Sequence, residues 1–214
     1  HEVIRLSGMN IIIGDVDRPL VIKVASISAA RIQVYFIDNE DYFRRKQISF
    51  DADGKFFEDN GQRAIFFARG VLETVKKLRW APDVIHCQGW ISNLIPLYLK
   101  KAYNGDPIFS GSKIVTSLYG EIDKEAFFPS FKDNIIFGGI KPADVSLLEN
   151  PTGINLAKTA ALYSDGIIFG DKNVDPELVK FCQQENIPNL PFNEEAMANG
   201  HYIEEYDGFY QQLQ

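Results

Sequence analysis

His86, Gln88 and Trp90 occupy alternate positions in the stretch Trp80-Ala-Pro-Asp-Val-Ile-His-Cys-Gln-Gly-Trp90, between two apolar runs. An imidazole exchanges a proton near neutral pH. A Gln carboxamide offers two donors and an acceptor to hydroxyl groups, and an indole can stack on a sugar ring. Gly89 lets the backbone approach a ligand closely. If extended geometry persists, His86 and Gln88 lie on one side of the chain. The plainer reading of the same residues is a hydrogen-bonded buried His, a turn Gly and a core Trp. A second pair, Asp59 and Arg63, is one helical turn apart, the spacing of an ion pair. Its plainer reading is a helix N-cap followed by a surface Arg.

The elements around these residues alternate between strand and helix. Residues 61–79 place Ile65, Ala68, Leu72 and Val75 on one stripe, with Val71 and Leu78 beside it, which predicts an amphipathic helix. Asp59 or Asn60 is expected to cap it with a side-chain oxygen. Lys76, Lys77 and Arg79 favour its C-terminus, and Ala81-Pro82 stops it. Asp83–Cys87 reads as a short buried strand, followed by a helix from about Trp90 to Tyr103 and a strand over Lys113–Tyr119. The three form a β-α-β unit, for which a parallel pair is expected. A polar cluster at its first turn sits where open α/β sheets place their ligands.

Elsewhere the pattern changes. Val3–Leu6, Met9–Ile13, Leu20–Val24 and Ile32–Ile37 are short strand runs divided by turn residues, and predict a hairpin or meander. Residues 38–60 read as a loop with a turn at Asp51–Gly54. After a stretch over 120–150 with no clear period come a helix over Ile154–Tyr163 and a strand over Gly166–Phe169. Asp175-Pro176 opens a further helix, with Pro at the favoured first position. A last amphipathic helix spans about Ile203 to Leu213.

The chain has 214 residues, 45% hydrophobic and 24% charged, with net charge −7. Its basic groupings are short, which disfavours nucleic acid as a partner. No apolar run spans a bilayer. Cys87 and Cys182 are far apart in sequence, which points to a reducing, cytoplasmic compartment. No signal peptide is visible, although the chain begins with His1 rather than Met. The histidines at 1, 86 and 201 are too dispersed to suggest a metal site. Motifs for a dinucleotide fold, a phosphate loop or a hydrolase elbow are absent, and no cofactor is expected.

Pro82-Asp-Val-Ile-His-Cys-Gln-Gly-Trp-Ile-Ser-Asn-Leu-Ile-Pro-Leu-Tyr-Leu99 resembles the segment P-D-V-V/I-H-x-H-D-W-H-x-x-L/I-x-P-x-Y-L of bacterial glycogen and starch synthases. Val34-Tyr-Phe-Ile-Asp-Asn39 is similar to the family's strand before its variable loop. Asp59, Asn60, Arg63, Phe67, Arg69 and Leu72 match its D-N-x-x-R-x-x-x-F-x-R-x-x-L helix. Asn155, Leu156 and Lys158, followed by Tyr163-Ser-Asp165, resemble a later helix–strand unit. The likeness covers most of residues 30–170. The family's second His, its Asp and its last His are Gln88, Gly89 and Ile91 here.

The resemblance implies an α/β fold with a Rossmann-like parallel sheet and flanking helices. That is the N-terminal half of a two-domain GT-B glycosyltransferase, here with a strand-rich N-terminal segment. Residues 1–214 would form a single such domain, incomplete at its N-terminus and without the C-terminal donor domain. The implied reaction is glucosyl transfer from ADP-glucose or UDP-glucose to an α-1,4-glucan, and the isolated chain is expected to be inactive. The implied catalytic positions are Asp59 and His86. The implied substrate-binding positions are Asn60, Arg63, Gln88, Gly89 and Trp90, with Trp90 packed beneath the sugar. The alternative is a non-catalytic module that binds glucan or a partner synthase. An exposed apolar face where the second domain should dock, if the fold leaves one, would favour a homo-oligomer or a partner domain.

Overall fold

The expected meander forms the N-terminal part of a computed structural model that describes residues 2–121 and 125–214; His1 lies outside them. Strands β1 (Ile4–Ile13), β2 (Val16–Ile27) and β3 (Ile32–Asp38) pair antiparallel in that order. The runs Val3–Leu6 and Met9–Ile13 belong to one strand. A register shift between Arg5 and Ser7 interrupts their alternation. Gly14 takes a left-handed φ of +58° in the turn to β2. Pro19 is tolerated in the middle strand because β3 pairs with β2 only from Val21 onward.

Residues 38–60 are more ordered than their polarity suggests. Asn39 caps a short helix, α1 (Glu40–Phe43), by accepting from the Asp41 and Tyr42 amides at 3.0 and 3.1 Å. The Asp51 carboxylate accepts from the Asp53 and Lys55 amides, both at 2.9 Å, and so builds the expected turn. Helix α2 (Asn60–Leu78) follows, with Ile65, Phe66, Ala68 and Leu72 fully buried. Gly70 lets α2 lie close on the meander, since a Cβ there would come within 2.8 Å of Ile37 Cγ2.

The remainder is a parallel α/β layer. In chain order it comprises β4 (Val84–Cys87), α3 (Ile95–Lys101), β5 (Lys113–Leu118), α4 (Phe131–Ile135), α5 (Gly153–Leu162) and β6 (Gly166–Phe169). There follow α6 (Pro176–Gln184), β7 (Asn189–Leu190), α7 (Glu194–Asn199) and α8 (Tyr202–Gln212). The four strands lie side by side in chain order, all parallel. The helix expected from Trp90 begins only at Ile95. A 3-10 turn over Trp90–Ser92 precedes it, held by Ser92 Oγ donating to the Gln88 and Gly89 carbonyls at 3.0 and 2.8 Å. Strand β7 and helix α7 have no counterpart in the sequence reading, because both are too short to carry a period.

Alternation along the strands assigns the two faces of the sheet. Ile85, Cys87 and Ile114 join the core shared with α2 and α3, and Leu118 and Ile167 pack with α5 and α6. On the other face Val84, Val115 and Ile168 meet Tyr206, Phe209 and Tyr210 of α8 and Leu213 just after it. Gly166 permits this approach, since a Cβ would sit 2.7 Å from Phe209 Cζ and 2.8 Å from Leu213 Cδ1. Among the described residues no helix is long and apolar enough to cross a membrane.

Gly166→Val is expected to lower the unfolding free energy by about 1–3 kcal/mol, because it overpacks the α8 interface. Gly208→Ala lies in α8 with open space around it, so it should instead stabilise by about 0.5–1 kcal/mol through helix propensity. Urea denaturation of both variants checks the pair. Equal midpoints would contradict the packing of α8 on the sheet.

Candidate active site

The turn after β4 and the end of β5 enclose a cavity of about 50 Å³. Gly89, Trp90 and Asn93 line it from the turn, and Ser117, Leu118 and Tyr119 from the strand. Gly153 and Ala157 of α5, with Phe127 and Glu121, complete it. This is the carboxyl end of the parallel strands, where the fold class places ligands. Gly89 holds φ +79° with nothing within 4 Å of the missing Cβ, so its role is the turn itself.

Trp90 is a packing residue here. Its Nε1 donates to Ser49 Oγ at 3.0 Å, and its ring lies 5.9 Å from that of Phe127. Phe127 stacks on Phe131 at 4.7 Å and meets Phe56 at 5.5 Å, and Phe56 meets Phe50 at 5.4 Å. A row of aromatic rings thus runs from the end of β4 to the loop before α2.

Asn60, Arg63 and Asp59 fasten that same loop. Arg63 is only 4% exposed. It donates to the Tyr42 carbonyl at 3.0 Å and to the Ile48 carbonyl and Asn60 Oδ1 at 2.6 Å each. Asn60 Nδ2 donates to the Ser49 carbonyl at 2.9 Å. The expected Asp59–Arg63 ion pair and the side-chain cap by Asp59 are both absent. The Asp59 carboxylate is taken by Arg45, whose Nη1 donates to Oδ1 at 2.7 Å. Asp59 still begins the helix through its backbone carbonyl, which accepts from the Arg63 amide at 2.9 Å. Burial and then the Arg45 charge lower the Arg63 pKa, and Asp59 opposes them. A guanidinium remains charged regardless. The ring of Phe57 lies under both cations, its centroid 4.6 Å from Arg45 Cζ and 5.5 Å from Arg63 Cζ.

His86 points away from the loop, to the α8 face of the sheet. Its Nδ1 lies 2.6 Å from Tyr210 Oη and its Nε2 2.6 Å from Ser117 Oγ. Burial lowers its pKa. The extended geometry ends with β4 at Cys87, and Gln88 is exposed rather than in the cavity. Cys87 itself is 2% exposed, and burial pushes its thiol up to about 12, so it is no nucleophile. Of the residues singled out from sequence, Gly89 and Trp90 meet at the cavity. Asp59, Asn60 and Arg63 form the loop anchor, and His86 reaches the cavity only through Ser117. Asn93, Tyr119, Glu121 and Phe127 line the cavity without having been singled out. The position of Tyr119 and Glu121 just past a parallel strand is the signal that marks them.

Arg63→Leu leaves two main-chain carbonyls without their donor, at a cost of about 1–3 kcal/mol each. Arg63→Lys is expected to recover little of it, because one ammonium cannot reproduce the fork. Urea unfolding with limited proteolysis of residues 44–58 checks both; wild-type behaviour of either variant would refute the anchor. The lowered pKa of His86 has a definite sign in stability. Below the ordinary imidazole value of 6.5 the unfolded chain binds a proton that the folded chain resists. The contribution is therefore fully present above that value and is lost as pH falls through the lowered folded value. The loss of stability between about pH 7.5 and about pH 5.5 should shrink in His86→Gln, which has no titrating group there. An unchanged difference in urea midpoints would count against it.

Residues 1–188 match the family model of the starch synthase catalytic domain. The glycogen synthase of Chlorobium limicola is 35% identical over 168 residues, which cover 77% of this chain and 33% of that protein. The glycogen synthase of Chlorobaculum tepidum is 36% identical over 131 residues, 61% of this chain and 27% of that one. The chain thus spans about a third of the length of the first of these relatives. The catalytic domain of starch synthase IV from Arabidopsis thaliana, solved with ADP and acarbose, shares the fold with a TM-score of 0.68 at 14% identity. The match covers 89% of this chain and 40% of that one. Helices α7 and α8 lie beyond residue 188, outside the family model. With the parallel sheet, the preceding meander and the family model all in agreement over most of its length, the chain belongs to the starch synthase catalytic domain family.

Proposed function

We propose that this chain forms the N-terminal, acceptor-side domain of a glucosyltransferase that extends an α-1,4-glucan from ADP-glucose or UDP-glucose. We further propose that its 214 residues alone do not carry out the transfer. Family membership supports the first part. The lining of the cavity at the carboxyl end of β4 and β5 carries the second. Its described residues include Glu121 and Tyr119 but neither Lys nor Arg. Departure of a nucleoside diphosphate needs fixed positive charge or oriented donors at the developing anion. Among the described residues the cavity offers an acid, Glu121.

On this reading Asp59 and His86 are positioning residues. Asp59 acts through Arg45 on the loop, and His86 acts through Ser117 on the cavity wall. Asn60, Arg63 and Trp90 hold the loop at the height of the cavity, Gly89 shapes the turn, and Gln88 faces solvent. The same lining also favours a second reading, a module that binds glucan or a partner synthase without catalysis.

Incubation of the chain with radiolabelled ADP-glucose or UDP-glucose and glycogen is expected to give no incorporation above a protein-free blank. Sustained turnover with either donor would overturn the proposal that the chain is inactive alone.

A further inference from the structure

The antiparallel meander is apolar on both faces. An antiparallel sheet with one solvated face alternates apolar and polar residues along each strand. The inner face supplies Ile11, Leu20 and Ile22, all buried in the core shared with α2. The register puts Ile12 of β1, Val21 and Ile27 of β2, and Ile32, Val34 and Phe36 of β3 on the outer face. Ile12, Ile32 and Phe36 are 59%, 51% and 42% exposed, and Ile27 stands directly opposite Ile32. A contiguous apolar face of this kind, with charged residues set into it, marks an interface with another protein.

The charges on this face suit a copy of itself. The whole chain carries −7, yet the outer face is neutral, with Arg5 and Lys23 set against Asp17 and Asp38. Asp38 pairs with Lys23, and Asp17 accepts from Asn10. Arg5 has no ion-pair partner among the described residues. Its Nη2 lies 3.3 Å from the place of a Gly8 Cβ, so the guanidinium reaches the row that Gly8 shares with Val21 and Asp38. A two-fold axis along β2 lays β1 of one copy over β3 of the other and keeps every residue in its row. Arg5 of each copy then crosses the Phe36 ring of the other and ends opposite its Asp38, which supplies a cation–π contact and an ion pair at once. A hollow of about 530 Å³ lined by Gly8, Asn10, Pro19 and Val21 has room for the protruding Phe36. A face three strands wide at about 4.8 Å each and about ten residues long at about 3.4 Å each covers roughly 500 Å². Two such faces together bury about 1,000 Å², the size at which specific interfaces begin.

We propose that the outer face of the meander pairs with the same face of a second copy, closing a two-layer β-sandwich across a two-fold axis. Sedimentation velocity of the 214-residue chain over a range of concentrations tests it. The wild-type chain is expected to approach twice its 24.2 kDa, with a dissociation constant on the order of micromolar. Phe36→Glu and Ile32→Lys should each weaken association about 10-fold or more. Arg5→Glu should weaken it about 3- to 10-fold, an effect that shrinks at high salt. Phe128→Glu, at a side chain 50% exposed outside the meander, should leave it unchanged. Circular dichroism and thermal melting of the monomer should match wild type in all four variants, because these side chains lie at the surface. A wild-type chain that stays monomeric, an open-ended aggregate, or a dimer unmoved by Phe36→Glu, Ile32→Lys and Arg5→Glu would overturn the proposal.

Discussion

One buried cation holds the functional end of this domain together. Removing a guanidinium from water is costly unless its donors are satisfied and nearby groups offset the charge. Arg63 meets that demand with two main-chain carbonyls and the Asn60 side chain, so residues 42–49 must lie where those acceptors are needed. The constraint propagates. Once Ile48 is fixed, Ser49 is in reach of Asn60 and of the Trp90 indole. Phe50 and Phe56 can then bridge and pass the aromatic row to Phe127. The small cavity is bounded by parts of this chain of contacts.

The legible and illegible parts of the molecule separate by length scale. Helix α2 and the β4–α3–β5 unit were readable because each repeats a period over several turns or is bounded by Pro, Gly and charge signals. The meander was readable for the same reason, apart from the single irregularity that breaks the sequence pattern of the one strand β1 into two runs. What escaped is short or long-range. Two-residue β7 has no period, and the 3-10 turn after Gly89 depends on Ser92 bonding back to Gln88 and Gly89.

The candidate site shows the same division more sharply. Asp59 and Arg63 have the spacing of an ion pair, yet each found a partner distant in sequence, Arg45 for one and the Tyr42 and Ile48 carbonyls for the other. Local spacing states which pairs can meet, and tertiary competition decides which do. His86 illustrates this again. Its place in the motif is plain, but its orientation follows from the pleat, and its partner Tyr210 comes from a helix that no local pattern ties to it.

That last contact spans 124 residues, which has a bearing on how the chain is made. Ribosomes deliver α8 after every strand it covers. Until then the face formed by Val84, Val115 and Ile168 has no apolar cover from α8. Non-local closure of this kind is slow, and sheet surface left open in the interval is prone to aggregate. The apolar cover of this face is therefore complete only once Phe209 seats over Gly166.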